Sequence, residues 1–316
     1  MKGTKLVAGL VTLFLLAGAA TAYGAKVHLA LPVESIDFLP VYIAQEKGFF
    51  AQQGLEATVT VLRGGGGVIA ALVSGDIDFG FSSTTEVALL KQRGVDTRFV
   101  MATTDNIPFS LIARKDLGAK KVTDLKGRSI SITGPGSLTH AMLLYVLVRN
   151  GLNPEKDVTI VPIGGGAEAI GALKTKKIDA SMLFEPFVAM AVIEGVATEV
   201  LDTTTVVKAW PANSPIAKKS YIDANADTVA RLSKAMLQAL DYVRANPAGA
   251  REVAAKKFSG MRADVLEAAL NRYFPFYSRS GVVTREHIEV SQEILLKGGL
   301  IKSAFPYESM VMTPAR

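Results

Sequence analysis

Two stretches of the chain combine backbone amides freed by glycine with the starts of apolar helices, a pattern suited to holding a small polar solute. "VLRGGGGVIAALVSGDIDFG" (61–80) sets four glycines before an apolar run, and "VPIGGGAEAIGALKTKKIDA" (161–180) repeats the arrangement. Placing Ile77-Asp78 over Ile178-Asp179 gives an offset of 101 residues. The same offset aligns Gly64 with Gly165, Gly65 with Gly166, Ile69 with Ile170 and Leu72 with Leu173. Each glycine costs folding entropy and is useful where the backbone must turn sharply or approach a partner closely. Helix N-termini present unpaired N–H groups and partial positive charge, and open α/β sheets bind ligands beyond their strand C-termini. The two runs therefore imply facing surfaces, one per repeat, with bare amides aimed at a shared cleft. Tight turns without a ligand are the structural alternative.

A helix end contributes ~0.3–1 kcal/mol toward an anion, and a hydrogen bond to a charged group ~1.5–3 kcal/mol. Micromolar affinity needs about 8 kcal/mol, more than one open face supplies. Two surfaces closing over a ligand and excluding water would supply it.

The elements that must position these turns alternate. "KVHLAL", "EATVTVL" and "IDFGF" read as strands. "LPVYIAQEKGFFAQQGL" reads as a helix with stops at Gly48 and Gly54. "VIAALVSG" is a helix with Ile69, Leu72 and Val73 on one apolar face, and "SSTTEVALLKQRG" a helix with hydroxyl N-caps and Glu86 in its first turn. The order recurs as "RSISIT", "GPGSLTH", "AMLLYVLVRNGL", "DVTIVPI", the second glycine run, "IDASMLF", "EPF" and "VAMAVIEG". Such alternation predicts βαβ units and mostly parallel sheets. "NIPFSLIARKD" (106–116) and "WPANSPIAKKS" (210–220) are the segments expected to cross between the repeats as a hinge. Helices after Asn225, the first stopped by Pro247, are expected to return to the first repeat.

The 316 residues suit about two domains. Hydrophobic residues make up 49% and charged ones 20%, enough apolar surface for packed cores. Lys2 and Lys5 before "LVAGLVTLFLLAGAA" and "ATAYGA" have the layout of a secretory signal, with cleavage after Ala22 or Gly24; an uncleaved anchor is the alternative. No cysteine occurs, which excludes disulfides, thiolate metal sites, catalytic thiols and a cysteine-linked lipid anchor. The expectation is a soluble periplasmic protein that is not a lipoprotein and does not insert in the membrane after signal cleavage. The net charge of +6 falls to +4 without Lys2 and Lys5 (33 basic against 29 acidic residues). Basic residues are scattered without aromatic interleaving, so no nucleic-acid partner is expected.

"LPVYIAQEKGFFAQQGLEATV", "SGDIDFGFSST", "DLKGRSISITGPGSLTH", "NGLNPEKDVTIVPI" and "KKIDASMLFEPF" together resemble the nitrate/sulfonate/taurine-type solute-binding proteins of ABC importers, from about Val27 to the C-terminal helices. The resemblance implies an α/β, two-lobed periplasmic-binding-protein-like fold (type II), with two crossing strands as hinge and the C-terminal helices returning to lobe one. It divides the chain into a signal (1–24), lobe one (25–107 and 215–316) and lobe two (108–214). It also implies capture of a small anionic or zwitterionic solute (sulfonate, carboxylate or amine-containing) by a monomer, without cofactor, metal or catalysis, and delivery to an ABC permease and ATPase. The ligand-binding residues carried over are Ser35, Asp37, Phe38, Gly65, Gly66, Ser83 and Thr84 in lobe one, and Ser137, Thr139, His140 and Glu185 in lobe two. Simple capping for Ser137 and Thr139, a loop turn for Asp37 and core packing for Phe38, Phe184 and His140 remain open beside these roles. Arg63 is either an anion clamp or a solvated arginine. Asp78 and Asp179, recurring at strand starts, read as structural.

A cofactor-free enzyme on the same fold and a ligand-sensing receptor component are the rival readings. His28, His140 and His287 are far apart in sequence, and no Ser-His-Asp arrangement is legible. "RGGGGVIA" lacks the G-K-[ST] of a phosphate-binding loop, and "GPGSLT" lacks the last glycine of a dinucleotide fingerprint.

Overall fold

A computed structural model describes residues 24–312. The expected signal, apart from Gly24, lies outside the described residues.

The chain builds one sheet, moves to a second, and returns. β1 (Ala25–Leu31) leads through the Pro32–Phe38 loop to α1 (Leu39–Glu46) and α2 (Phe49–Gln52), then β2 (Leu55–Val61), α3 (Gly64–Ser74), β3 (Phe79–Ser82), α4 (Thr84–Gln92) and β4 (Thr97–Phe99). β5 (Ser110–Arg114) opens the second unit. It continues through β6 (Ser129–Ile132), α5 (Leu138–Arg149), β7 (Thr159–Pro162), α6 (Gly166–Lys174), β8 (Ala180–Leu183), α7 (Phe187–Ile193) and β9 (Ala197–Asp202). β10 (Ser214–Lys218) then re-enters the first sheet. α8 (Lys219–Ala224), α9 (Ala226–Ala245), α10 (Pro247–Lys257), α11 (Ala263–Tyr273), α12 (Arg285–Lys297) and α13 (Tyr307–Met310) follow.

The sheets have the same topology: β2-β1-β3-β10-β4 in lobe one and β7-β6-β8-β5-β9 in lobe two. β1 runs parallel to β2 and β3, and β6 parallel to β7 and β8. β10 lies antiparallel between β3 and β4, and β5 antiparallel between β8 and β9. The antiparallel strand of each sheet is therefore the one that has just crossed from the other lobe. This is the expected pair of hinge strands.

Position in the sheet decides the burial pattern. Central β3 and β8 are buried at every residue, whereas edge strands β2 and β7 keep exposed positions. α3 packs so tightly on β3 that a Cβ at Gly80 would lie 2.5 Å from Val68 Cγ1. The buried stripe of α3 is Gly65, Val68 and Leu72. The expected face of Ile69, Leu72 and Val73 is corrected: Ile69 is half-buried and Val73 exposed. The error came from starting the helix at Val68. The glycine run is itself the first turn, and Gly65 extends the Val68–Leu72 stripe that packs on β3.

The C-terminal helices return to lobe one as expected. α9 and α10 pack on α1 and α2, and α12 wedges between α4 of lobe one and α5 of lobe two. Pro247 ends α9 and opens α10 at its first position, where a missing N–H costs nothing. Asn225 occupies the cap position of α9, but its amide donates back to Tyr221 O at 3.0 Å instead of capping.

Candidate functional site

All six loops at the C-terminal ends of β1, β2, β3, β6, β7 and β8 reach the space between the lobes. Both glycine turns line one cleft of about 590 Å³, together with Pro32–Glu34, Arg63, Thr133–Pro135, Glu168 and Phe187. Gly64 takes a left-handed φ of 68° and its N–H donates to Pro32 O at 2.7 Å; Gly164 takes φ 104°. These are conformations a side chain would strain.

Below the cleft, and sharing Pro32, Val33, Gly64 and Thr133 with it, lies a deeper cavity of about 40 Å³. Asp37, Gly65, Ser83, Ser137 and Thr139 from the sequence-derived set line this cavity. So do Ser82, Glu86, Phe81, Phe109, Phe184 and Asn213, which that set omitted. Phe109 and Phe184 form an aromatic wall, with ring centroids 5.8 Å apart.

The other expected residues do not line the cavity. Phe38 is buried in the lobe-one core, edge-on to Phe81 at 5.9 Å. Gly66 lines a separate groove between α3 and α4. Thr84 is buried beneath the α4 N-terminus. His140 is half-buried; its Nδ1 accepts the Gly136 N–H at 3.0 Å and burial lowers its pKa, so it stands as a neutral ring. Ser35 does not line the cavity. Its hydroxyl lies 2.6 Å from Asp37 Oδ1 and donates across the lobes to Glu185 O at 2.7 Å.

Local capping explains how these side chains are fixed. Ser83 caps α4 in a reciprocal box, with Ser83 N–H donating to Glu86 Oε2 at 3.0 Å and the Ser83 hydroxyl at 2.5 Å. Ser137 caps α5 by accepting the His140 N–H at 3.3 Å. Thr139 Oγ1 accepts Thr133 N–H at 2.9 Å and lies 2.9 Å from both Thr133 Oγ1 and Ser137 Oγ. Asn213, on the segment crossing back to lobe one, holds a left-handed φ of 51° and donates its amide to Asp37 Oδ2. Asn tolerates that conformation better than most side chains.

The electrostatics are acidic. Burial pushes the Asp37 carboxyl up to about 7, opposed by the Ser35 hydroxyl and the Asp37 N–H and reinforced by Glu185. Burial also raises Glu86, opposed by the Ser83 hydroxyl and by backbone N–H groups of Glu86, Ser83 and Leu138. Glu185 is raised to about 7 by burial, while the Ala189 N–H and Arg272 pull it down. Its Oε2 accepts Ala189 N–H at 3.1 Å, so its side chain serves the α7 N-terminus and not the cavity. Arg272, on α11 of lobe one, reaches lobe two: Nη2 lies 2.5 Å from Glu199 Oε1, 2.9 Å from Asp202 Oδ2 and 2.8 Å from Ser110 Oγ.

Asp78 and Asp179 hold strand starts as expected, Asp78 Oδ2 accepting His28 N–H at 2.8 Å and Asp179 Oδ2 accepting Ser129 N–H at 3.0 Å. Among the described residues no cluster of three or more metal-ligating side chains occurs, and no helix is long and apolar enough to cross a membrane.

The family model described as "NMT1/THI5 like" matches residues 35–250. YtlA of Bacillus subtilis (strain 168) is 27% identical over 292 residues, 90% of this chain and 87% of that one. A solved structure from Bordetella bronchiseptica RB50 superposes with a TM-score of 0.82 at 26% identity, covering 92% of this chain and 96% of that one. The alkanesulfonate-binding protein SsuA from Xanthomonas axonopodis pv. citri, bound to MOPS, superposes with a TM-score of 0.76 at 19% identity, covering 88% and 95%. The last likeness is one of fold.

Proposed function

This chain belongs to the NMT1/THI5-like family, and from that premise we propose that it captures a small organic solute between its lobes and delivers it to an ABC permease and its ATPase. Lobe one comprises residues 25–107 and 215–316, and lobe two residues 108–214. The protein acts in the periplasm as a monomer after removal of its N-terminal leader, and it binds without turnover.

The observation that carries this reading is the convergence of both glycine turns on one cleft, with a deeper cavity below it built from both lobes. Loops at strand C-termini are where α/β sheets bind ligands, and a cleft between lobes is where hinge closure strengthens each contact. Asp37, Gly65, Ser83, Ser137 and Thr139 contact the solute. Ser35, Phe38, Gly66, Thr84, His140 and Glu185 act from behind, by fixing the loops that do. Sulfonates, carboxylates and amines are the solute classes to test.

A thermal-shift screen of small organic acids, sulfonates and amines tests the reading. A ligand at 100 times its Kd stabilises the protein by about 2.7 kcal/mol. Folded protein that responds to no compound in these classes contradicts solute capture.

A further inference from the structure

Resting on the solute-capture reading, we propose that the floor of the cleft receives a nitrogen-centred cation, the ammonium or amidinium head of a small organic amine, and not an anionic head.

The ionisable groups around the floor are all carboxyls. Asp37 and Glu86 line the deep cavity at 2% and 4% exposure, and no lysine, arginine or histidine lines it. The outer cleft adds Glu168 and Glu34, the latter ion-paired with Lys257, against the guanidinium of Arg63. An anion reaching the floor would meet two carboxyl groups and no cation, whereas a nitrogen-centred cation would find acceptors there.

The amides that would otherwise attract an anion already face a carboxyl. The Glu86 carboxyl caps α4 through Ser83, and the Leu138 N–H at the start of α5 faces it. It also lies against the first turn of α3, since a Cβ at Gly65 would sit 2.5 Å from its Oε1. The first turns of three helices thus converge on one built-in carboxyl, leaving less room there for a second acidic group.

A third feature points into the same space. Ser82 lines the cavity at 3% exposure, and its hydroxyl has no hydrogen-bond partner within the protein. A buried hydroxyl without a partner is costly, and a ligand N–H would satisfy it. The rings of Phe81, Phe109 and Phe184 complete the surround, and aromatic rings can attract a cation placed over them. The deep cavity, about 40 Å³, holds a head group only; the cleft of about 590 Å³ above it takes the rest of the molecule. A carboxylate at the far end of that molecule would meet Arg63.

The test is a thermal-shift and calorimetric comparison of two sets matched in carbon skeleton. The first holds benzamidine, benzylamine and linear primary amines; the second holds benzenesulfonate, benzoate and linear sulfonates. Binding of at least one amine or amidine, with its acid counterpart silent, is expected. Glu86→Gln keeps an acceptor for the α4 cap, and Asp37→Asn keeps the shape of the carboxyl. Each should weaken the amine by about tenfold to a hundredfold, the loss of one charge-assisted hydrogen bond, with circular dichroism verifying the fold. Binding of acids without amines overturns the head-group assignment and leaves solute capture standing. Silence from both sets also overturns the assignment. Solute capture itself falls only if the wider screen is silent too. Unchanged amine affinity in both folded variants overturns the role of the two carboxyls.

Discussion

Gly65 and Glu86 are in mutual contact, and their counterparts at an offset of 101 residues, Gly166 and Phe187, are too. A Cβ at position 65 would lie 2.5 Å from Glu86 Oε1, and one at position 166 would lie 2.0 Å from Phe187 Cδ2. The duplicated unit thus uses its helix-opening glycine for the same purpose twice: to admit a side chain from the element following the next strand. In lobe one that side chain is a carboxyl, and in lobe two a phenyl. The first puts a carboxyl at the cavity floor, and the second puts an aromatic ring in the cleft wall.

Gly166→Ala should therefore destabilise the protein by about 1–3 kcal/mol, the usual cost of overpacking, because Phe187 must leave its place beside Phe184, with which it packs edge-on at 5.6 Å. Gly171→Ala, on the same helix with open space at its Cβ, should be neutral or stabilising. Urea unfolding of the two variants checks this; equal stabilities would contradict the packing role of Gly166.

Asp37 predicts a pH dependence. Its folded-state pKa of about 7 stands above the ordinary 3.8, so between those values the folded protein binds more protons than the unfolded chain. Stability then falls as pH rises from about 4 to about 7 and levels off above. Glu185, raised to about 7, contributes in the same direction. Asparagine copies the protonated acid: its amide donates toward Ser35 Oγ, Ser35 donates to Glu185 O, and its carbonyl accepts from Asn213. Asp37→Asn should raise stability at pH 8 by an amount on the order of 2–4 kcal/mol and change little at pH 4. Denaturant titrations at both pH values measure this. A loss of stability at pH 8 would contradict it.

Arg272 joins the lobes on the side away from the glycine turns. Replacing it by methionine leaves Glu199, Asp202 and the buried Glu185 without their cation. The closed arrangement should lose about 1–3 kcal/mol, the radius of gyration in small-angle scattering should rise, and any solute identified by the screen should bind more weakly. Unaltered scattering and affinity would show that Arg272 does not latch the lobes.

Much of the architecture was legible because the duplication was. The repeated glycine-helix-Ile-Asp unit implies two sheets of like topology, and the two crossing segments imply the exchanged strands β5 and β10. The site was only partly legible. Ser83, Ser137 and Thr139 announce themselves as hydroxyls at helix starts, and they reach the cavity. Glu86 read as a first-turn acid favourable to a helix, which it is, but nothing local says that its carboxyl also meets α3. The signal available was the departure from the repeat, Glu86 standing where the second unit has Phe187. Asn213 and Arg272 act across more than 70 residues of sequence, through a left-handed turn and a C-terminal helix, and no spacing rule connects them to Asp37 or Glu199. The sequence reading of bare amides aimed at a shared cleft did not anticipate that a buried carboxyl lies against the first of the two glycine turns.

The central claim is that the lobes close over a solute in this cleft. The chain has no cysteine, so spin labels attached to Val73→Cys and Val192→Cys report one distance only; both positions are exposed and lie on helices of different lobes, α3 and α7. Pulsed electron–electron resonance should give a broad or two-peaked distance distribution without solute. With the strongest stabiliser from the screen it should collapse to a single, narrow separation. A distribution that saturating compound leaves unchanged would contradict capture by lobe closure.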